Sequence, residues 1–315
     1  MFINDKCLRI EPTDELRNKI WAVELDLFET FRQICEKYQL KYFLIGGALI
    51  GAIRHGGFIP WDDDIDIGMP REDFKKFVKA VTSELPEHME VQYGLTKEGR
   101  FEELMRIRNK NTTGILTRNL RDGMNNGIFI EIYCYTSVPT FILGQKVQMY
   151  FMNFFGTILD SYEKLETSRK SSGKQKLARC LSKVICKVLP KNAVYFLWNL
   201  SHDIFASRYS KLMNCEISMF GIESGRSVWE RADIEPLIEV PFENTKALIP
   251  HNYDACLKKC YGDYMTLPPI EKRNNLHLCD ILYNPDLPYT FYSSSTERLN
   301  KLEALVDETR HSCIL

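Results

Sequence analysis

The stretch FIPWDDDIDIGMP, residues 58–70, sets Asp62, Asp63, Asp64 and Asp66 within five positions. Carboxylates at this density repel one another, and solvation, partial protonation or a bound cation must offset the repulsion. An acidic loop in water would meet that need. The alternation from Asp64 to Ile67 argues against it, because polar and apolar residues taken in turn have the period of a strand with one buried face. On such a strand Asp64 and Asp66 point the same way, roughly 7 Å apart, while Ile65 and Ile67 enter the core. Two carboxylates fixed on one face suit a divalent cation that takes oxygen ligands.

Upstream, KYFLIGG gives a short apolar run from Tyr42 to Ile45 that stops at Gly46 and Gly47, and ALIGAIR continues as a helix opening on the glycines. Strand, two glycines and helix N-terminus form a phosphate-binding arrangement, since glycine lets backbone approach and the free N–H groups face the anion. Arg54 and His55 follow and would add positive charge. Asp62 and Asp63 are candidates for substrate or outer ligands, Asp62 also for ordering the turn at Trp61. Before this unit, Leu16, Ile20, Val23, Leu27, Phe31 and Ile34 step by three or four, which predicts an amphipathic helix from Thr13 to Tyr38 capped by Thr13 or Asp14.

After Pro70, REDFKKFVKAVTSEL reads as a helix with Phe74, Phe77, Val78 and Val81 inward, and FEELMRIRN and NGIFIEIYCY read as strands. Glu131 interrupts the second of these. A carboxylate in an apolar strand needs a partner, and the cation expected at Asp64 and Asp66 is the nearest. The alternative is a Glu on an exposed sheet face.

The chain has 315 residues, 44% of them hydrophobic, enough for a real core. Lys and Arg number 41 against 42 acids, so the net charge of −1 exerts no general pull toward nucleic acid or anionic lipid. One segment departs from this balance: residues 164–191 hold nine basic residues against Glu166 alone. Its helical part, LARCLSKVICKVL, suits an anionic membrane surface, with a solvated basic face as the plain alternative. It has too few interleaved aromatics for a nucleic-acid partner. The apolar run 140–160 contains Gln145, Lys146, Gln148 and Asn153, against an ordinary transmembrane helix.

The ten cysteines lack a secreted spacing and the N-terminus lacks a signal-peptide pattern, so reduced thiols and a cytoplasmic protein are expected. Cys256, Cys260, His277 and Cys279 invite a zinc reading, but the spacing fits no usual finger, and buried structural cysteine is preferred. Near the C-terminus a strand pair, a helix from about Asn252 and a stop at Gly262 are expected. The whole reads as one continuous α/β unit with a mixed sheet and a helical insertion: a catalytic core at 1–140, a basic insertion at 141–230 facing acceptor or membrane, and a part at 231–315 completing the core.

A glycine pair, an Asp-x-Asp strand and a later single acid resemble the signature of the nucleotidyltransferase superfamily. GALIGAIRHGGFIPWDDDIDIGMPREDF closely resembles the LicD family of phosphocholine transferases, which the fukutin-type proteins also resemble. GIFIEIY resembles it more loosely, with Glu131 where that family commonly has Asp, as does IPHNYDACLKKCYGDYMTLPP with RNNLH after it. The resemblance implies a nucleotidyltransferase-like core in which Asp64, Asp66 and Glu131 hold Mg²⁺ or Mn²⁺ and do the catalysis. Gly46, Gly47, Arg54, His55, Trp61, Asp62 and Asp63 would bind substrate. It further implies transfer of phosphocholine from CDP-choline to a hydroxyl of teichoic acid, lipopolysaccharide or capsule, with release of CMP; with a lipid-linked acceptor, the basic segment 164–191 would set the protein at the inner membrane face. Trp61, Tyr133 and Tyr135 would be aromatic contacts for the trimethylammonium, or else core residues. Two alternatives stand beside it: another phospho-alcohol (phosphoethanolamine, ribitol or glycerol phosphate) or a nucleotide moved by the same site, and a glycan-binding protein that has lost the chemistry.

Overall fold

The computed structural model describes residues 13–94, 104–116, 124–162, 182, 184–203, 210–215, 228–270, 273 and 281–302. Helix α1 (Asp14–Lys37) starts where Thr13 accepts the Leu16 N–H on its hydroxyl, and its Ile20, Leu27, Phe31 and Ile34 are buried. Strand β1 (Phe43–Leu44) leads directly into α2 (Gly46–Arg54), whose first turn is the glycine pair. Then come β2 (Asp66–Pro70), α3 (Arg71–Glu84), β3 (Met89–Gln92), β4 (Met105–Asn109), β5 (Thr113–Leu116) and β6 (Phe129–Val138).

Strand β6 is the axis of the fold. It pairs in parallel with β2 on one side and antiparallel with β4 on the other, giving the order β1-β2-β6-β4-β3. The sheet is therefore mixed, and the chain is of the α/β class. Beyond Tyr135, β6 takes β7 (Leu212–Cys215) as a further antiparallel neighbour, and β8 (Val228–Glu230) pairs with β7. Ile65 and Ile67 are fully buried. Each contributes about 2 kcal/mol to that placement, and a slip of one residue would exchange them with the acids. This pins the side to which Asp64 and Asp66 point.

Helices α1 and α3 pack on each other and on the sheet, with Phe74, Phe77 and Val81 of α3 in the main core. Helices α4 (Ile142–Tyr162) and α5 (Lys191–Asp203) pack mainly on each other. Gln145 and Gln148 fasten α4 to the sheet side, donating to the carbonyls of Pro139 and of Ser137 and His202. Among the described residues of 141–230, then, the helical part is α4, α5 and a helical turn at 184–188, while β7 and β8 return to the main sheet. Among the described residues no helix is long and apolar enough to cross a membrane.

Helix α6 (Arg231–Ile234), the antiparallel pair β9 (Leu237–Phe242) and β10 (Thr245–Pro250), and α7 (Tyr253–Tyr261) close the core from the C-terminal side. Gly262 ends α7 at φ +69°. Cys256 is buried and its thiol is pushed up to about 12, chiefly by burial, while Cys260 accepts the Trp229 indole N–H. His277 and Cys279 lie outside the described residues. Strand β11 (Ile281–Asn284) pairs with β5, and α8 (Tyr289–Ser293) follows.

Candidate active site

Three adjacent strands place charge in one row. Asp66 of β2 stands opposite Glu131 of β6, and Glu131 stands opposite Arg106 of β4. Pairing continues one residue before β2, since the Glu131 N–H donates to the Ile65 carbonyl, so Asp64 is held at the start of the same strand pair. Arg106, itself buried, brings Nη2 to 2.7 Å from Glu131 Oε1, and the Tyr133 hydroxyl donates to Oε2 at 2.5 Å. Burial pushes the Glu131 carboxyl up, but Arg106, Tyr133 and Arg108 outweigh it and hold the group below its usual range. Residue spacing points to a bound cation as the partner of Glu131; the fold also supplies a guanidinium.

Asp64 and Asp66 are in the opposite condition. Loss of solvent, then the neighbouring carboxylates, push both well above the ordinary aspartate range. Asp66 Oδ1 is buried with no hydrogen-bond partner, and Asp62, Asp63 and Asp64 each offer an oxygen within 4.8 Å of the others. An orphaned carboxylate oxygen beside convergent oxygens is a donor set that fits Mg²⁺ or Mn²⁺. Glu131 adds charge to the same row, with lone pairs remaining on oxygens that already accept hydrogen bonds.

The glycines act on the acids themselves. A Cβ on Gly46, where φ is +56°, would lie 2.8 Å from Asp66 Oδ2, and one on Gly47 would lie 2.2 Å from Asp62 Oδ2. Two carboxylates thus rest against the first turn of α2, whose N-terminal partial charge favours them. The acidic turn is held from α1 and β11 as well: the Trp21 indole donates to the Asp62 carbonyl at 2.9 Å and the Tyr283 hydroxyl to the Asp63 carbonyl at 3.4 Å.

At the other end of α2, Arg54 and Arg273 share one indole. Their guanidinium carbons lie 5.8 Å and 5.2 Å from the Trp61 ring centroid. Arg54 donates to the Tyr264 carbonyl and to His55 Nε2, and Arg273 to the Pro268 carbonyl; among the described residues neither has a carboxylate partner. Burial and the charge of Arg273 lower the Arg54 pKa, and burial and Arg54 lower that of His55. Two unneutralised guanidiniums beside an acidic turn form a place for an anion.

Every site residue expected from sequence therefore gathers around the α2 N-terminus and the β2 edge or along α2 toward Trp61. Of the aromatic candidates, Trp61 carries the two guanidiniums, Tyr133 binds Glu131, and Tyr135 is a core residue against Phe43 and Trp229. Four residues of this region were not legible in the sequence: Arg106, Arg273, Tyr283 and Glu24. Glu24 alone carried a signal, since it falls four residues after Ile20 and three before Leu27 on the apolar face of α1.

Residues 39–141 match the family LicD/FKTN/FKRP, nucleotidyltransferase domain. These residues are similar to the LicD family's nucleotidyltransferase domain. The lipopolysaccharide cholinephosphotransferase LicD of Haemophilus influenzae is 28% identical over 264 residues, 81% of this chain and 93% of that protein. The ribitol 5-phosphate transferase FKRP of human and of mouse is 50% identical over 40 residues, 13% of this chain and 8% of the relative. The LicD-family domain thus holds β1, α2, β2 and Glu131, whereas Glu24 and Arg273 reach the same site from outside it.

Proposed function

We propose that the protein transfers phosphocholine from CDP-choline to a hydroxyl of a cell-surface glycan, releasing CMP. The observation that carries this reading is the convergence of Asp64, Asp66 and Glu131 at one end of the β2–β6 pair, beside the N-terminus of α2. Similarity over most of the chain to a cholinephosphotransferase supports the choice of donor.

In the reaction the acceptor oxygen bonds to the phosphorus that carries choline, the bond from that phosphorus to the CMP oxygen breaks, and the hydroxyl proton passes to a base. Mg²⁺ or Mn²⁺ held by Asp64 and Asp66, with Glu131 beside them, would neutralise the diphosphate as its charge shifts onto CMP. Glu131, kept ionised by Arg106, is a weak base and serves better as fixed charge. Arg54 and Arg273 grip the diphosphate across the face of Trp61, and His55 extends that grip. Asp62 and Asp63 hold the acidic turn against Gly47 and Tyr283.

A second donor reading has its own support. No open aromatic box lies among Trp61, Tyr133 and Tyr135, and the ribitol 5-phosphate transferase shares half of its 40 matched residues with this chain. Transfer of a phospho-polyol from the corresponding CDP-alcohol is therefore the alternative. The acceptor is placed at a membrane surface, reached through the basic segment 164–191; residues 164–181 and 183 of it lie outside the described set. The exposed apolar residues Tyr150 and Phe154 of α4, which line one cavity with Ser182, and Val188 in the segment itself provide an apolar complement to the charge.

CMP release from CDP-choline, CDP-ethanolamine and CDP-ribitol, with Mg²⁺, Mn²⁺ or EDTA and a glycan acceptor, tests the reading. Metal-dependent turnover of CDP-choline, lost in Asp66→Asn, is expected. Turnover of CDP-ribitol alone would select the alternative, and activity undiminished by both EDTA and Asp66→Asn would overturn the metal site.

A further inference from the structure

Between the end of α2 at Arg54 and the start of β2 at Asp66 the chain forms neither helix nor strand, yet Trp61 and the acidic turn lie on this stretch. Its second half is held by the hydrogen bonds from Trp21 and Tyr283. Its first half, Gly56-Gly57-Phe58, is held from the β9–β10 hairpin. The Glu243 N–H donates to the Gly56 carbonyl at 2.8 Å, and the Phe58 N–H donates to Glu243 Oε1 at 2.9 Å. One glutamate thus grips the turn with both its backbone and its side chain.

Two local features serve this contact. Glu243 sits at φ +51°, in the left-handed region that a glutamate rarely adopts, within the two-residue turn between Phe242 and Thr245. It is an exposed residue, so burial does not explain its strained backbone. Gly57 lies so close that a Cβ there would stand 1.9 Å from Glu243 Oε1, and a side chain would displace the carboxylate. The grip is also connected to the acids. The Phe58 ring stacks on Trp21, with centroids 4.7 Å apart and planes 1° from parallel, and the Trp21 indole donates to the Asp62 carbonyl. From the other side Phe242, the residue before Glu243, packs on Phe58 at 5.3 Å. Asp62 in turn supplies one of the three convergent carboxylate oxygens.

We propose that Glu243 is a positioning residue for the acidic turn: through Phe58 and Trp21 it sets Asp62 where its carboxylate meets a divalent cation. This rests on the proposed function in taking a cation to bind at that turn; it does not depend on the donor.

Mn²⁺ affinity of the intact protein, read by electron paramagnetic resonance, and deuterium exchange of the 56–62 amides test the role without turnover. Glu243→Gly removes the carboxylate but suits the backbone, so it should melt close to wild type. It should nonetheless bind Mn²⁺ about fivefold more weakly and exchange faster at Phe58 and Asp62. Glu243→Gln, whose amide oxygen still accepts from Phe58, should restore both readouts. Gly57→Ala should reproduce the loss, and combining it with Glu243→Gly should lose no more than either alone. Unchanged Mn²⁺ affinity in Glu243→Gly overturns the role whatever happens to melting, and so does failure of Glu243→Gln to restore it. If wild type binds no Mn²⁺, the cation of the proposed function fails and exchange decides alone. Faster exchange at Asp62 in Glu243→Gly then keeps Glu243 as the residue that positions the acidic turn, and unchanged exchange overturns it.

Discussion

Asp66 and Glu131 face each other directly across the parallel β2–β6 pair, so two carboxylates share one rung of the sheet. That rung is tolerable because Arg106 continues it on the next strand and binds Glu131 at 2.7 Å. Arg106→Leu leaves Glu131 without its cation and should cost about 3–5 kcal/mol. Urea denaturation measures this, and a loss below about 1 kcal/mol would mean that Glu131 is satisfied without Arg106.

Gly47→Ala should separate activity from stability. The added Cβ meets only the end of the Asp62 side chain, at 2.2 Å, so the chain can fold by turning that carboxylate away. Turnover is expected to fall at least tenfold, about 1.4 kcal/mol in the barrier, with the melting temperature little changed. Full activity would show that Asp62 takes no part.

Stability should depend on pH and metal together. Asp64 and Asp66 have raised pKa values when folded without a cation, so the folded chain binds more protons than the unfolded one. Stability then falls as pH rises from the ordinary carboxylate range, about 4, toward neutrality. Mg²⁺ or Mn²⁺, which needs both groups ionised, should restore it most at neutral pH and least near pH 4. Melting curves at several pH values with and without Mn²⁺ check this, and a metal shift independent of pH would contradict it.

Arg273→Ala should raise the KM for the CDP-linked donor roughly tenfold with a smaller change in kcat, as expected for a charged contact to phosphate worth about 1.5 kcal/mol. Steady-state kinetics against donor concentration read this out. An unchanged KM would leave Arg273 as a support for Trp61 alone.

Binding to vesicles containing phosphatidylglycerol should be salt-sensitive and should weaken when Lys187 and Lys191 are neutralised, by about 1 kcal/mol for each charge. Cosedimentation measures it. Binding unaffected by either salt or substitution would remove the membrane contact from the proposal.

The amino-acid sequence by itself determined what local chemistry decides. Period-two alternation placed Ile65 and Ile67 in the core, and the 3.6-residue repeat placed α1 and α3. Glycines marked the strand-to-helix turn, and Thr13 and Gly262 marked the starts and stops of helices. The same local pattern singled out Asp64, Asp66 and Glu131 as acids without apolar reason to be where they are. Only the tertiary structure decided which residues meet. Arg106 becomes the partner of Glu131 through the antiparallel β4–β6 register, and register between strands separated by 25 residues is not written in either strand alone. Arg273 reaches Trp61, and Glu24 the acidic turn, because the core brings distant segments together, and burial leaves Oε2 of an ordinary helix glutamate without a hydrogen-bond partner. Residue type and spacing act within a turn or a strand; dielectric and partner choice arise only when the chain has folded.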